Sequence, residues 1–212
     1  MFTKTCNIVY TSDELTNRYS NYRFKWNEFY LSERKILSQI GFERDDKVLD
    51  LGCGCGGLGH ALQEKYDVNN YTGIDISKKS VDRGILNLLH GDVLDRKFDH
   101  YENKFDKVIS FSCIDWNVQV NEMFDRAWSF VKSNGHLIVS VRLTDKNTIN
   151  DAYQNIGTDK PVFTVWNFND FNNKILSMNP LTVCSYGYWG KIKENTHNCY
   201  EDIFYSVYGL QK

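Results

Sequence analysis

The chain has 212 residues, of which 42% are hydrophobic and 25% charged, which indicates a globular α/β unit and excludes a disordered chain. Its 25 basic and 27 acidic residues leave a net charge of −2, which argues against a surface that tracks nucleic-acid phosphates. No apolar run reaches the roughly 18 residues of a membrane helix, and the first ten residues are polar and mixed. We therefore expect a cytoplasmic protein without a secretory signal, whose six cysteines are reduced and bind no zinc.

Helical and strand patterns alternate in the first half of the chain. Apolar residues from Trp26 to Ile40 recur at helical spacing and Gly41 follows them, which predicts a helix inside an N-terminal extension, residues 1–41. The next predicted elements are a strand at 47–51, a helix at 58–66, a strand at 71–76, a helix from Ser77 to Arg83 and a strand at 85–90.

The second half continues this alternation and then changes. The predicted elements are a strand at 105–111, an amphipathic helix at 120–131, a strand at 136–143, an irregular stretch at 145–163, a helix at 168–177 capped by Asn167 or Asn169, and strands at 182–186 and 202–210. The last two strands have no helix between them and are therefore expected to be antiparallel. The pattern predicts an α/β fold, with a seven-stranded, mostly parallel sheet and helices on both faces. Right-handed crossovers then place a ligand at the carboxyl ends of the strands.

A glycine cluster after the first strand carries the strongest functional signal. Gly52, Gly54 and Gly57 match G-x-G-x-x-G between a strand and a helix, where glycines let a ligand approach the backbone. Asp75 ends the second strand, 23 residues after Gly52, where a carboxylate accepts hydrogen bonds from ribose hydroxyls. A dinucleotide and S-adenosylmethionine both contain a ribose, so both stay candidate ligands. The alternative interpretation is that the glycines only form a tight turn and bind no ligand.

Asp50 distinguishes between these two cofactors. It stands two residues before Gly52, where its charge suits a cationic group and would repel the pyrophosphate of NAD. Asp92 follows the third strand and is a candidate acceptor for an adenine amine, with a simple turn residue as the alternative. The residues favour S-adenosylmethionine, and an NAD(P)-dependent oxidoreductase is kept as an alternative.

Four segments in chain order resemble the motifs of class I S-adenosylmethionine-dependent methyltransferases. They are Val48–Gly54, Gly73–Ser77, Gly91–Val93 and Phe105–Phe111, and the similarity covers residues 45–145 and the last strands. The resemblance implies a Rossmann-like fold with an antiparallel terminal strand, S-adenosyl-L-methionine as the cofactor and no metal. The implied cofactor-binding residues are Asp50, Gly52, Cys53, Gly54, Asp75, Ile76, Asp92, Val93, Ser110 and Phe111.

The resemblance also bears on the methyl acceptor. In this family an N-terminal helix often covers the cofactor as a lid, and the extension here mixes basic and aromatic side chains, although an ordinary packed helix would do the same. Asp115, just past the fourth strand, is the predicted catalytic residue, because a hydroxyl nucleophile often needs a general base. The predicted substrate-binding residues are Tyr22, Lys25, Trp26, Trp116 and Arg142.

We expect a single domain over residues 1–212, with the extension or lid at 1–41, a cofactor-binding core at 42–145 and substrate-side insertions with the terminal strands at 146–212. The expected function is methyl transfer to a small-molecule or nucleotide-linked acceptor, on oxygen. The extension resembles that of bacterial methyltransferases that modify surface-polysaccharide precursors, including capsule precursors with an O-methyl phosphoramidate group.

Other classes remain beside this expectation. An RNA or protein methyltransferase and a non-enzymatic adenosylmethionine-binding regulator are kept as alternatives. The fourth strand is followed by Ser110-Phe111-Ser112-Cys113, without the Asn-Pro-Pro-Tyr or Pro-Cys motifs of nucleic-acid methyltransferases. The expected partner is thus the acceptor, with no nucleic acid and no membrane, and a homodimer is kept open as the assembly.

Overall fold

The computed structural model describes residue 17, residues 22–157 and residues 159–212. Its α-helices are α1 (Leu31–Ile40), α2 (Gly57–Tyr66), α3 (Lys78–Val81), α4 (Val120–Phe130) and α5 (Phe168–Ser177). Its strands are β1 (Lys47–Leu51), β2 (Asn70–Asp75), β3 (Leu88–His90), β4 (Phe105–Ser110), β5 (Val131–Thr144), β6 (Ile149–Gln154), β7 (Val162–Asn167), β8 (Thr182–Lys191), β9 (Thr196–His197) and β10 (Asp202–Gln211). Short 3-10 helices cover Trp26–Glu28 and Arg96–Tyr101. No helix in these described ranges is long and apolar enough to span a membrane.

The strands join in one mixed sheet with a parallel centre. Its order is β3-β2-β1-β4-β5-β7-β6-β9, and β10 pairs with β5 on one side and β8 on the other. β1 runs parallel to β2 and β4, and β3 and β5 extend this parallel region outward. β10 runs antiparallel to both of its neighbours. The α/β fold with a mostly parallel sheet, predicted from the alternation of helices and strands, is confirmed.

The sheet contains ten described strands, whereas the sequence predicts seven. Of the additional strands, β6 lies in the stretch predicted to be irregular, β7 begins at the end of that stretch, and β9 lies before the last strand. β6 runs antiparallel to β7 and β9, and this small sheet joins β5 only at Leu143–Trp166 and Thr144–Asn167. Polar residues dominate β6, so its strand conformation depends on distant partners that periodicity does not reveal.

The N-terminal helix predicted over 26–40 is divided in two. Two glutamates stabilise the separate starts: the Glu28 carboxylate accepts hydrogen bonds from the backbone of Phe24 and Lys25, and that of Glu33 accepts one from the Tyr30 N–H at 2.9 Å. The second helix, α1, ends at Gly41 as predicted, with a φ of 72°. Residues 1–16 and 18–21 of the predicted lid lie outside the described residues.

Two strand ends differ from the prediction for local reasons. β5 begins at Val131 rather than at 136, because the chain leaves α4 directly in an extended conformation. Asn134 then adopts a φ of 64°, and the pairing of β5 with β4 shifts register opposite this segment. β3 covers only 88–90 of the predicted 85–90, and Ile85 is 84% exposed.

Helices cover both faces of the sheet. On one face α4 and α5 bury aromatic side chains, among them Phe124 and Phe171, against alternate residues of β1 such as Leu49. On the other face α1 and α2 bury Leu37 and Leu62 against the intervening strand positions. Each such side chain stabilises the fold by about 1.5–3 kcal/mol when fully buried. These two layers hold the carboxyl ends of β1, β2, β4 and β5 at one edge of the sheet.

Candidate active site

A cavity of about 1050 Å³ opens at this carboxyl edge. It runs from the loop after β1 to the ends of β4 and β5, and beyond them to the small sheet and β8. The sequence-predicted residues in its lining are Tyr22, Asp50, Gly52, Cys53, Gly54, Asp75, Ile76, Asp92, Val93, Phe111, Asp115, Trp116 and Arg142. The fold therefore brings together residues that are up to 120 positions apart in the sequence.

The loop after β1 is held in a shape that requires glycine. The N–H groups of Gly52 and Cys53 both donate to the Ile74 carbonyl, at 2.8 and 3.2 Å, which ties the loop to β2. Gly52 has a φ of 78°, and a β-carbon there would overlap the side chain of Cys113. At Gly57 a β-carbon would stand 2.6 Å from the carbonyl oxygen of Arg23. The backbone at these two glycines is thus packed closely against Cys113 on one side and Arg23 on the other.

Asp75 joins the end of β2 to this loop. Its Oδ2 accepts a hydrogen bond from the Gly54 N–H at 2.8 Å, and its Oδ1 accepts one from the Ser77 N–H at 2.7 Å. Burial raises the pKa of the Asp75 carboxyl, and these two backbone donors oppose the rise. The carboxylate is held in a fixed orientation in the cavity wall, in the place where the sequence predicts a ribose ligand.

Asp50 is almost completely buried beside the same loop. The Tyr71 hydroxyl donates to its Oδ2 at 2.6 Å. Burial raises the pKa of Asp50 to about 7, the Tyr71 hydrogen bond lowers it, and the neighbouring charges of Asp75 and Arg23 act in opposite directions. A cation bound beside Asp50 would stabilise its ionised form, so this position suits a positively charged ligand group. Tyr71 was not among the predicted site residues, because it lies outside the motifs.

The segment before α1 forms the cover of the loop. The guanidinium of Arg23 is paired with the buried carboxylate of Glu33 and lies 4.3 Å from the centre of the Phe29 ring. Arg23 lines the cavity, and its carbonyl contacts Gly57 as described above. The mixture of basic and aromatic residues in the extension predicts that this segment packs over the loop. It does not indicate that Arg23 is the residue that makes the contact.

A second cluster lies across the cavity, after β4 and on β5. The Arg142 Nη1 donates to the Oδ2 of Asp115 at 2.5 Å, and its guanidinium lies 4.3 Å from the Trp116 ring and 4.6 Å from the Phe163 ring. The Thr164 N–H donates to the Asp115 carbonyl at 2.8 Å, which joins the loop to β7. The structure thus brings together three of the residues predicted for the acceptor.

The surroundings of Asp115 bear on its role as a general base, which stays a prediction. Its side chain is 2% exposed, its Oδ2 is engaged by Arg142, and its buried Oδ1 has no hydrogen-bond partner in the described part of the chain. Burial raises the pKa of Asp115, and the guanidinium of Arg142 opposes the rise. A base needs an accessible oxygen within reach of the acceptor proton, so this geometry favours a positioning role for Asp115.

Three of the predicted site residues do not line the cavity. Ser110 is completely buried and donates to the Leu51 carbonyl at 3.3 Å, so it supports the glycine loop without lining the cavity. Trp26 packs edge-on against Tyr66 at 5.4 Å, and Lys25 is exposed, so neither of them lines the cavity.

Four other predicted cofactor-binding residues, Asp92, Ile76, Val93 and Phe111, line the cavity, and their roles stay predictions. Asp92 lines the cavity, and its Oδ1 accepts a hydrogen bond from the Leu94 N–H at 2.9 Å, which is also the geometry of a turn residue. Ile76, Val93 and Phe111 supply apolar lining. No cluster of three or more metal-binding side chains occurs among the residues that the structure describes.

Comparison with known proteins identifies related chains. A family model described as a methyltransferase domain matches residues 42–178. The phosphoethanolamine N-methyltransferase of Plasmodium falciparum is 26% identical over 196 residues, which cover 83% of this chain and 72% of that protein. The trans-aconitate 2-methyltransferase of Rhizobium rhizogenes is 24% identical over 117 residues, 54% of this chain and 45% of that protein. The chain thus spans less than half the length of some curated relatives that it matches.

Solved structures share the fold at low sequence identity. The phosphoethanolamine N-methyltransferase 2 of Haemonchus contortus, in complex with phosphomonomethylethanolamine and S-adenosylhomocysteine, has a TM-score of 0.67 at 12% identity, covering 93% of this chain and 56% of that one. The 1,6-didemethyltoxoflavin-N1-methyltransferase of Burkholderia thailandensis has a TM-score of 0.58 at 15% identity, covering 94% of this chain and 79% of that one.

Proposed function

Because the chain belongs to the methyltransferase-domain family and S-adenosyl-L-methionine is its cofactor, we propose that the protein transfers the methyl group of that cofactor to a small polar acceptor. The observation that carries this proposal is the cavity itself. It contains a glycine loop with two fixed carboxylates at one end and a separate arginine cluster at the other, which is enough for a cofactor and an acceptor side by side.

The residues at the glycine-loop end fit the cofactor. Asp75 would accept hydrogen bonds from the ribose hydroxyls, and Asp50 would face the ammonium group of the amino-acid moiety. Ile76 would pack on the adenine, and Asp92 would accept a hydrogen bond from its amine. When bound, the cofactor supplies a methyl group on a positively charged sulfur, which is the electrophile of the reaction.

The contribution of the chain is then positioning and exclusion of water. The segment from Tyr22 to Tyr30 would cover the cofactor, since Arg23 already contacts the loop there. Trp116 and Phe163 would form the apolar walls of the acceptor pocket, and Arg142 would orient the acceptor between them. Asp115 would act on the reaction through Arg142.

The nature of the acceptor atom belongs to this proposal as well. The sequence predicts methylation on oxygen of a small-molecule or nucleotide-linked acceptor, for example in capsule-precursor synthesis. The names of two relatives point to small anionic acceptors, phosphoethanolamine and trans-aconitate, and these support a small anionic molecule more directly than a polysaccharide precursor. One of these relatives methylates nitrogen by its name, so amines and hydroxyls are tested together.

The first experiment is calorimetric titration of the purified protein with S-adenosylhomocysteine, with NAD in parallel. We expect micromolar binding of S-adenosylhomocysteine and none of NAD. Methyl transfer is then followed by mass spectrometry with phosphoethanolamine, trans-aconitate and nucleotide-linked sugars as acceptors. Binding of NAD alone would overturn the proposal. Cofactor binding without turnover of any acceptor in this panel would instead favour the adenosylmethionine-binding regulator.

A further inference from the structure

The arginine cluster opposite the glycine loop has the features of a binding site for an oxyanion. Arg142 is held from three sides, by the Asp115 carboxylate and by the rings of Trp116 and Phe163. Its side chain is only 13% exposed, yet it lines the cavity. An arginine fixed in this way loses little side-chain entropy when it binds a ligand.

Part of the hydrogen-bonding capacity of Arg142 is unused. Its guanidinium has five N–H donors, and within the described part of the chain its side chain donates only to Asp115. Its Nε and Nη2 atoms donate to no described residue and neither is a buried atom without a partner, so both keep some exposed surface, and the residue lines the cavity. Two such donors on one edge match the two oxygens of a carboxylate or a phosphate.

A tyrosine on the next strand provides a further donor. Tyr205 on β10 is paired in register with Arg142 on β5, and both side chains line the cavity. Arg142 lowers the pKa of Tyr205 against the rise caused by burial, which places the phenol within the field of the guanidinium. The Tyr205 ring is stacked on Tyr188 at 5.6 Å, and its hydroxyl has no hydrogen-bond partner in the described ranges.

The charges of the surrounding wall also favour an anion. Lys191 and Lys193, from the end of β8 and the turn after it, line the same cavity. Neither lysine is in an ion pair with a described residue. The described wall on this side therefore carries three cationic groups, Arg142 and the two lysines, against the single carboxylate of Asp115. The ion pair alone would be neutral, and the lysines give the wall its positive charge.

We propose that the methyl acceptor carries an oxyanion, a carboxylate or a phosphate monoester, and that Arg142 with the Tyr205 hydroxyl binds it, while Asp115 positions the guanidinium. The inference rests on the proposed function, because it names the substrate class of the same cavity. The oxyanion fixes one end of the acceptor and leaves the other end free to receive the methyl group.

The test uses the full chain saturated with S-adenosylhomocysteine. Inorganic phosphate and malonate are titrated separately by calorimetry, so that the two arms distinguish a phosphate site from a carboxylate site. Tyr205→Phe removes only the hydroxyl. The double variant Arg142→Met/Asp115→Asn removes the guanidinium without leaving a buried carboxylate unpaired. The matched control is Lys174→Met/Asp125→Asn, which removes an ion pair of similar length outside the cavity.

We expect at least one of the two anions to bind, with affinity reduced tenfold or more in the double variant and several-fold in Tyr205→Phe, and unchanged in the control. Cofactor binding should be the same in all of these proteins. Equal anion affinity in the wild type and the double variant would overturn the inference, as would the absence of binding of both anions to the wild type. If the wild type fails to bind S-adenosylhomocysteine, the proposed function itself fails, which is a distinguishable result.

An activity measurement distinguishes a positioning role of Asp115 from a role in proton transfer. Once an acceptor is found, Asp115→Asn should raise KM for that acceptor far more than it lowers kcat, because the asparagine holds Arg142 less firmly. A loss of kcat with unchanged KM, together with a lost pH dependence of kcat, would instead assign proton transfer to Asp115.

Discussion

The Tyr71 hydroxyl donates to the Asp50 carboxylate over 2.6 Å, and both residues are buried, with Asp50 in the lining of the cofactor cavity and Tyr71 behind it. A buried carboxylate with a single hydroxyl donor is poorly compensated, which is why its pKa lies near 7. A bound ammonium group would supply the missing charge. Binding of the cofactor should therefore be linked to loss of a proton from Asp50.

The first prediction concerns this linkage. In the range below about pH 7 the free protein holds a proton on Asp50 that must leave before the cation binds, so S-adenosylhomocysteine should bind more tightly as pH rises. Tyr71→Phe removes a hydrogen bond that lowers the pKa, so the midpoint of this dependence should move to higher pH. Calorimetry between pH 5.5 and 8.5, in buffers of different ionisation enthalpy, measures both effects.

The matched control is Tyr66→Phe, which removes an exposed hydroxyl contact with Ser38. It should leave the pH dependence unchanged. The free energy of unfolding of the unliganded protein should change with pH in the opposite direction to the affinity for the cofactor. The folded-state pKa of Asp50 lies above its ordinary value, so the folded form binds more protons than the unfolded form between about pH 4 and 7, and stability falls as pH rises through this range. A pH-independent affinity would contradict the assignment of Asp50.

Asp75→Asn should weaken binding of S-adenosylhomocysteine by an order of magnitude or more. The change removes the charge from two expected hydrogen bonds to ribose hydroxyls, and each charge-assisted bond contributes about 1.5–3 kcal/mol. It also weakens the anchoring of the loop through Gly54. Asp82→Asn, on the exposed pair with Lys78, serves as the control and should bind normally. Unchanged affinity in a folded Asp75→Asn protein would exclude the ribose role.

Gly52→Ala should destabilise the fold by more than about 2 kcal/mol. The alanine backbone must keep the positive φ of residue 52, at a cost of roughly 1–2 kcal/mol, and its β-carbon also overlaps Cys113. Cys113→Gly removes the overlapping atoms, so the double variant should recover part of the loss but not the backbone cost. Urea unfolding of the two single variants and the double variant measures this coupling. Strict additivity of the two changes would argue that the close contact has no energetic role.

Arg23→Met should lower the free energy of unfolding by about 3–5 kcal/mol, because the buried Glu33 loses its only ion-pair partner in the described region. Arg23→Met/Glu33→Gln should be much closer to the wild type. Burial already raises the pKa of Glu33 and Arg23 lowers it, so the single variant should lose more stability at pH 8 than at pH 5. Thermal unfolding at both pH values compares the proteins. A loss equal at the two pH values would show that Glu33 is not the source of the destabilisation.

The cofactor end of the site could be predicted from the sequence, because it is built from local motifs. The strand before Gly52, the glycines and the acid at the end of β2 are close in sequence, and their positions follow from the crossover between β1 and β2. Helix α5 and its Asn167 cap were predictable for the same reason, since a cap contacts the N–H two residues later.

The acceptor end could be predicted only in part. Asp115 and Arg142 were each singled out by position at the end of a strand, but their pairing joins residues 27 positions apart, which the sequence pattern does not indicate. Tyr205 and Phe163 enter the cavity through β10 and β7, whose neighbours are set by tertiary pairing and not by periodicity. Lys25 and Trp26 were chosen from the basic and aromatic composition of the extension, which does not indicate which side chains line the cavity.

The small sheet of β6, β7 and β9 pairs with the central sheet at two register positions of β5 among the described strands, and it also packs against Ile203 of β10. Insertions, deletions or exchanges in this appendage leave the pairing of β1, β2 and β4 untouched, and with it the geometry of the glycine loop. The acceptor wall therefore combines one exchangeable part, Phe163 of β7, with the fixed positions of Arg142 and Tyr205 on the central sheet. We expect changes in the small sheet to reshape the acceptor pocket at Phe163 while the glycine loop keeps its geometry.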